Sequence, residues 1–120
     1  MFAQNRRMYT RYSFTIAITL FQNDTAIHCS ECRNISHGGM CVILDENISL
    51  NGIVTVVLSK MIGKNMVDLK ADCRVAWQDN QGSYDNGKML GLEFISIDNE
   101  NGYNLEKILA YSSASPQEVF

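Results

Sequence analysis

Alternation of apolar and polar residues is the feature that most constrains the fold of this chain. Across residues 12–20, aromatic and aliphatic side chains take every even position, with Ser, Thr and Ala between them. Residues 67–77 repeat the pattern, with apolar side chains at every odd position up to Trp77. A period of two places alternate side chains on opposite faces of a strand. Both segments are therefore predicted to be strands with one buried face, and Trp77 is predicted to lie in the core or at its rim.

Four further segments have a strand-like composition and are bounded by turn signals. They are residues 25–33, 40–44, 53–58 and 90–94. Six antiparallel strands with short turns favour a small barrel, because closing the sheet removes its exposed edges.

After residue 98 the apolar period changes from two to that of a helix. Leu105, Ile108 and Leu109 have the spacing of one face of a short amphipathic helix. Short polar side chains that could cap its start are those of Asp98, Asn99 and Asn101.

Size and charge restrict the class of protein. A chain of 120 residues that is 46% apolar fits one domain. Its net charge of −3 argues against general binding to DNA or RNA. No apolar run approaches the ~20 residues of a membrane span, and the N-terminus has no apolar signal core. The expectation is a cytoplasmic protein, not inserted in a membrane, whose four cysteines are reduced.

The first candidate binding element is a group of arginines ahead of the first strand. Arg6, Arg7 and Arg11 lie in a polar segment without periodicity, so residues 1–11 are predicted to be a flexible arm. Guanidinium is planar and permanently charged, and it can offer paired donors to a phosphate or a guanine edge while stacking on a base.

The second candidate element is the polar turn at residues 34–39. Asn34 and Ser36 are two positions apart, so on an extended backbone their side chains point to the same side. Gly38 and Gly39 are expected to adopt backbone angles closed to other residues and to let a ligand approach the main chain.

The two elements together resemble the PilZ family of bacterial cyclic di-GMP receptors. Arg7 and Arg11 form R-x-x-x-R, and Asn34, Ser36 and Gly39 form [D/N]-x-S-x-x-G. Their order and spacing, the strand ending in tryptophan, and the segment Leu-Gly-Leu-Glu-Phe at residues 90–94 extend the resemblance over nearly the whole chain. It implies a six-stranded antiparallel split β-barrel with a short C-terminal α-helix, in agreement with the alternation pattern.

The resemblance also implies roles for the arm. Arg7 and Arg11 would hold guanine and phosphate, and Arg6 could add a stacking surface for a second ligand molecule. A segment ordered by its ligand converts binding into a conformational signal.

For the barrel surface, the resemblance implies that Asn34 and Ser36 would bind the second base and the ligand backbone, and that Gly39 would permit the turn. Gly38 is included in the predicted site.

The predicted organisation is an arm at residues 1–11, a barrel with its helix at residues 12–111, and a flexible tail at residues 112–120. The implied function is a monomeric or weakly dimeric receptor that binds cyclic di-GMP and signals to an unidentified effector protein. Motility, exopolysaccharide, biofilm and virulence are the outputs implied by the family.

Two alternatives belong to other classes. The first is an adaptor of the same fold that contacts its partner without ligand. The second is a thiol or metal protein using Cys29 and Cys32, but residues three apart on a strand are expected to face opposite sides. Cys41 and Cys73 are interpreted as small core residues. Neither a catalytic constellation nor a Walker-type phosphate loop is recognisable, so no enzyme, metal or cofactor is predicted.

Overall fold

The structure is a computed structural model that describes residues 16–46, 48–79 and 88–114, with backbone only for residues 16 and 112–114. The six strands are β1 (Ile16–Gln22), β2 (Thr25–Ile35), β3 (Gly39–Leu44), β4 (Ile53–Ile62), β5 (Asn65–Asp79) and β6 (Lys88–Ser96). One helix, α1 (Asn99–Ala114), follows them. The predicted arm at residues 1–11 and the end of the predicted tail lie outside the described residues.

The strands close into an antiparallel barrel in the order β1-β2-β3-β6-β5-β4. Two of its hairpins, β1–β2 and β4–β5, have two-residue turns that begin at Asn23 and Gly63. Both residues have positive φ, which suits the tight hairpin turns that match strand twist. The predicted mainly-β fold, a six-stranded antiparallel barrel with a short C-terminal helix, is confirmed.

The core lies inside the barrel and under the helix. Its largest fully buried side chains are those of Leu20, Leu44, Leu58, Leu69, Leu90 and Ile108. They come from β1, β3, β4, β5, β6 and α1, so the barrel strands and the helix share one apolar interior. This arrangement follows from the two periods in the sequence, because the inward positions are those that alternation and helical spacing mark as apolar.

Asp98, one of the three residues predicted as possible caps, caps the start of helix α1. Its Oδ1 accepts a hydrogen bond of 2.8 Å from the backbone N–H of Asn101, and that bond lowers the pKa of the Asp98 carboxyl. Asn101 in turn accepts a 2.8 Å bond from the backbone N–H of Lys70, and Asn104 donates one of 2.8 Å to the carbonyl of Asp68. The first turns of the helix are thereby held against β5.

Strict alternation fails in two strands, and the reason is a register shift in each case. In β2, a shift between Cys29 and Glu31 leaves Cys29 and Cys32 on the same side of the strand, where both are buried. The prediction that these two thiols face opposite sides is therefore wrong. In β5, a shift between Val75 and Trp77 turns Trp77 outward, and its side chain is 47% exposed. A β-bulge adds a residue to one strand and so inverts the facing of the residues beyond it.

Gly39 is required by packing between strands. Among the described residues, positive φ occurs at Asn23, Gly52 and Gly63, so the expectation of special backbone angles at Gly38 and Gly39 is wrong. A Cβ on Gly39 would instead overlap the backbone carbonyl of Leu92 on β6. Gly38 has open space, with Ser36 Oγ nearest at 4.0 Å from such a Cβ.

This difference predicts opposite outcomes for two neighbouring substitutions. Gly39→Ala must push β3 away from β6, and overpacking of this kind costs about 1–3 kcal/mol of the free energy of unfolding. Gly38→Ala is expected to change it by less than about 0.5 kcal/mol, as for ordinary surface substitutions. Urea unfolding of both variants measures the two values, and equal losses would contradict the packing account.

Candidate functional site

Four neighbouring strands bring one residue each into a row on the outer face of the barrel. The paired positions, from β2 through β3 and β6 to β5, are Asn34, Cys41, Gly91 and Trp77. Asn34 and Trp77, at the two ends of the row, each follow a register shift. Without these shifts both side chains would point into the barrel, as Cys32 and Val75 do.

This face holds a depression of about 390 Å³. Four residues predicted from the sequence line it: Asn34, Ser36, Gly38 and Gly39. The rest of its lining comes from Met40, Cys41, Ala76, Trp77, Gly91, Leu92 and Glu93. The structure thus brings together the four predicted residues of the turn, and it adds a tryptophan and a carboxylate that are not among the predicted site residues. Arg6, Arg7 and Arg11 lie outside the described residues.

Main-chain and hydroxyl hydrogen bonds hold the turn in place. Ser36 N–H donates to the carbonyl of Gly39 at 2.8 Å, and Ser36 Oγ accepts from the N–H of Gly38 at 3.2 Å. The carbonyl of Gly38 accepts from the N–H of Phe94 on β6 at 2.9 Å. Ser36 therefore stabilises the turn through both its backbone and its hydroxyl.

The Asn34 side chain differs from that of Ser36. It is exposed, and its amide has no hydrogen-bond partner among residues 16–46, 48–79 and 88–114. An amide can both donate and accept. Asn34 is therefore the polar group of the turn that is best available to a ligand.

His37 links the turn to the helix. Its Nε2 lies 2.9 Å from Oε2 of Glu106 on α1, although 70% of the His37 side chain and 63% of the Glu106 side chain are exposed. Exposed pairs of this kind contribute about 0–1 kcal/mol, so the link orients the turn more than it stabilises the fold.

Trp77 lies over a glycine. A Cβ on Gly91, its partner on β6, would overlap the indole ring, so only glycine leaves room for it there. Trp77 is nevertheless 47% exposed and lines the depression. A glycine within a strand often marks such a close approach, so Gly91 is the sequence signal for the packing of Trp77 over β6.

The charges of the lining are sparse. Glu93 is the one charged residue of the described lining, and its Oε1 accepts a hydrogen bond from Nη2 of Arg74 across β6 and β5. The described lining contains no cationic side chain. Positive charge for an anionic ligand would therefore have to come from residues outside this lining.

The four cysteines are buried free thiols. Cys73 is in the core, as predicted, whereas Cys41 lies on the outward side of β3, beneath the depression. Burial raises the pKa of Cys29, Cys32 and Cys73 to about 12 and that of Cys41 to about 11. Among the described residues, no group of three or more His, Cys, Asp or Glu side chains could hold a metal ion.

Comparison with known proteins shows the family of the chain. The family defined by the PilZ domain matches residues 5–112. The chain therefore belongs to the PilZ domain family, whose members are known cyclic di-GMP receptors and are binding or adaptor domains rather than enzymes. No curated protein matches the chain. No helix within the described ranges is long and apolar enough to cross a membrane.

Two solved structures have a similar fold. The Bacillus subtilis inhibitor of motility (MotI/DgrA) has a TM-score of 0.62 and 16% identity over 92% of this chain and 50% of that chain. The PilZ domain of CeSA from a cellulose-synthesising bacterium has a TM-score of 0.55 and 13% identity over 82% of this chain and 91% of that chain. The present chain spans half the length of the inhibitor of motility, and at these identities the similarity shows the fold.

The raised thiol pKa values predict alkaline sensitivity. Unfolded thiols ionise near pH ~8.5, while the buried ones stay protonated to higher pH. The unfolded state thus releases protons first, and the free energy of unfolding falls as the pH rises above about 8.5. Thiolate absorbance should therefore be absent from the native protein at about pH 10 and present in urea at the same pH. Thiolate formation near pH ~8.5 without unfolding would contradict this burial.

Proposed function

We propose that this chain is a cyclic di-GMP receptor whose site combines the outer-face depression with the arginines of residues 6–11. The observation that carries the proposal is the composition of the depression. It has an amide without a partner among the described residues, an ordered turn and an exposed indole, but its described lining has no cation. An anion needs positive charge, and Arg6, Arg7 and Arg11 are the concentrated source of it in the sequence.

Chain geometry supports this combination. Ile18 of β1 pairs with Cys29 of antiparallel β2, so moving back along β1 corresponds to moving forward along β2. Arg11 lies seven residues before Ile18, and Ser36 lies seven residues after Cys29. At roughly 3.3 Å per residue, the segment that precedes β1 is long enough to bring Arg11 to the depression.

The chemistry of the ligand matches the groups available. Cyclic di-GMP carries two phosphodiesters and two guanines. Arg7 and Arg11 would pair with phosphate oxygens or with the N7 and O6 acceptors of guanine, and bidentate contacts of that type discriminate by about 1–3 kcal/mol. Asn34 and the turn would bind from the barrel side, and the exposed face of Trp77 offers a base about 1–3 kcal/mol of stacking. Micromolar affinity needs about 8 kcal/mol, which is more than any one of these contacts supplies, so the arm and the barrel would both have to contribute.

Binding would act as a signal by ordering residues 1–11 over the barrel and changing the surface offered to an effector protein. We place this receptor in the cytoplasm, as a monomer or weak dimer. Motility, exopolysaccharide, biofilm or virulence is the class of output that the family suggests. Arg6 is the residue whose loss would distinguish a stacked pair of ligands from a single one.

Isothermal titration with cyclic di-GMP tests the proposal. The wild-type protein should bind saturably, and Arg11→Ala should weaken binding at least about tenfold because a charged bidentate contact is lost. Arg11→Lys should also weaken it, since lysine keeps the charge but not the paired donors. Lys64→Ala, in the β4–β5 turn, removes one positive charge elsewhere and should bind as the wild type does.

GTP is the specificity control. The molar ratio of ligand to protein at saturation shows whether one or two cyclic di-GMP molecules bind to each chain. Failure of the wild type to bind in an equilibrium assay would overturn the receptor proposal. It would favour the adaptor that contacts its partner without ligand.

A further inference from the structure

Glu93 lines the depression but belongs to neither of the two predicted binding elements, the arginines of residues 6–11 and the turn at residues 34–39. It points outward from β6, where its neighbours in register are Gly39 on β3 and Arg74 on β5. This row is adjacent to the one that contains Asn34 and Trp77. Glu93 is 47% exposed at its side chain, so its carboxylate is accessible from the depression.

A carboxylate beside a doubly negative ligand is unfavourable unless it meets hydrogen-bond donors. Guanine provides two adjacent donors, N1–H and the 2-amino group, on its Watson–Crick edge. Adenine presents an acceptor at the N1 position, so a carboxylate cannot pair with its edge in that way. The charge of Glu93 therefore disfavours the phosphates and favours a guanine edge.

We propose that Glu93 accepts hydrogen bonds from the Watson–Crick edge of one guanine and is a specificity-determining residue of the site. The proposal rests on the cyclic di-GMP function argued above. A carboxylate supplies two acceptor oxygens, whereas the amide of Asn34 supplies one acceptor and a donor. Glu93 thus supplies the paired acceptors that Asn34 lacks.

Arg74 is the positioning residue for this carboxylate. Its guanidinium donates to Oε1 of Glu93, and Oε2 of Glu93 has no partner in the described parts of the chain. Because each carboxylate oxygen has two acceptor sites, both oxygens remain able to accept from a base. The adjacent positive charge also lowers the repulsion between Glu93 and the ligand phosphates.

The test compares two ligands and two matched variants. Cyclic di-IMP lacks the 2-amino group of each base but keeps N1–H, so it removes one of the two proposed donors. Glu93→Gln replaces the carboxylate with an isosteric amide. Glu31→Gln is the control, because Glu31 is also an outward, 45% exposed carboxylate that pairs with an arginine, Arg33, but it does not line the depression.

The wild type and Glu31→Gln should bind cyclic di-GMP about tenfold or more tightly than cyclic di-IMP, the range expected for a paired base contact. Glu93→Gln should weaken cyclic di-GMP binding by a similar factor and reduce the preference toward one. Circular dichroism and thermal unfolding check that the variants fold. If Glu93→Gln does not fold, Glu93→Met is used in its place.

A Glu93 variant that keeps the wild-type preference would overturn this inference and leave the receptor function standing. Equal binding of both ligands by the wild-type protein would by itself overturn the role proposed for Glu93. A wild type that binds neither would overturn the receptor function as well.

Discussion

The register between β2, β3, β6 and β5 is the constraint on which the site depends. Two bulges, before Asn34 and before Trp77, turn these side chains from the interior to the outer face, and they do so on strands that flank the same central pair. A side chain at Gly39 would overlap the backbone of Leu92 on β6, and one at Gly91 would overlap the Trp77 indole, so both positions of the depression must be glycine. A slip of one residue in either flanking strand would return Asn34 or Trp77 to the core, because facing alternates along a strand.

In the proposed site, the barrel and the arm contribute different kinds of binding group. The barrel contributes shape, hydrogen-bonding groups and an aromatic face, all held by strand pairing. The arm contributes positive charge, in a protein whose net charge is −3. An anion attracted by the arginines would therefore be retained only where both parts meet. The contact between His37 and Glu106 links the turn at residues 34–39 to helix α1.

Much of the fold could be predicted from the sequence because burial and strand period coincide. In residues 67–73, the apolar side chains are buried and the polar ones between them are exposed, as the alternation predicts. Leu105 and Ile108 are buried at the positions that helical spacing predicts. The turn at residues 34–39 could be predicted because Asn34, Ser36, Gly38 and Gly39 are typical turn residues. Glu93 could not be assigned because the residues that share the depression with it are distant in sequence. The outward facing of Trp77 could not be predicted, since a bulge is fixed by pairing between distant strands and has no local composition of its own. The shared facing of Cys29 and Cys32 escaped prediction for the same reason.

We propose that cyclic di-GMP binds on the outer face of β2, β3, β6 and β5. A ligand titration followed by ¹H–¹⁵N correlation spectra reports on this face, because the single tryptophan gives one indole N–H signal there. Binding at this face should produce saturable shifts of the Trp77 indole and of the amides of Asn34, Ser36 and Gly38, with Thr55 and Ser59 on β4 unmoved. Shifts confined to β4, or no shift at saturating ligand, would contradict it.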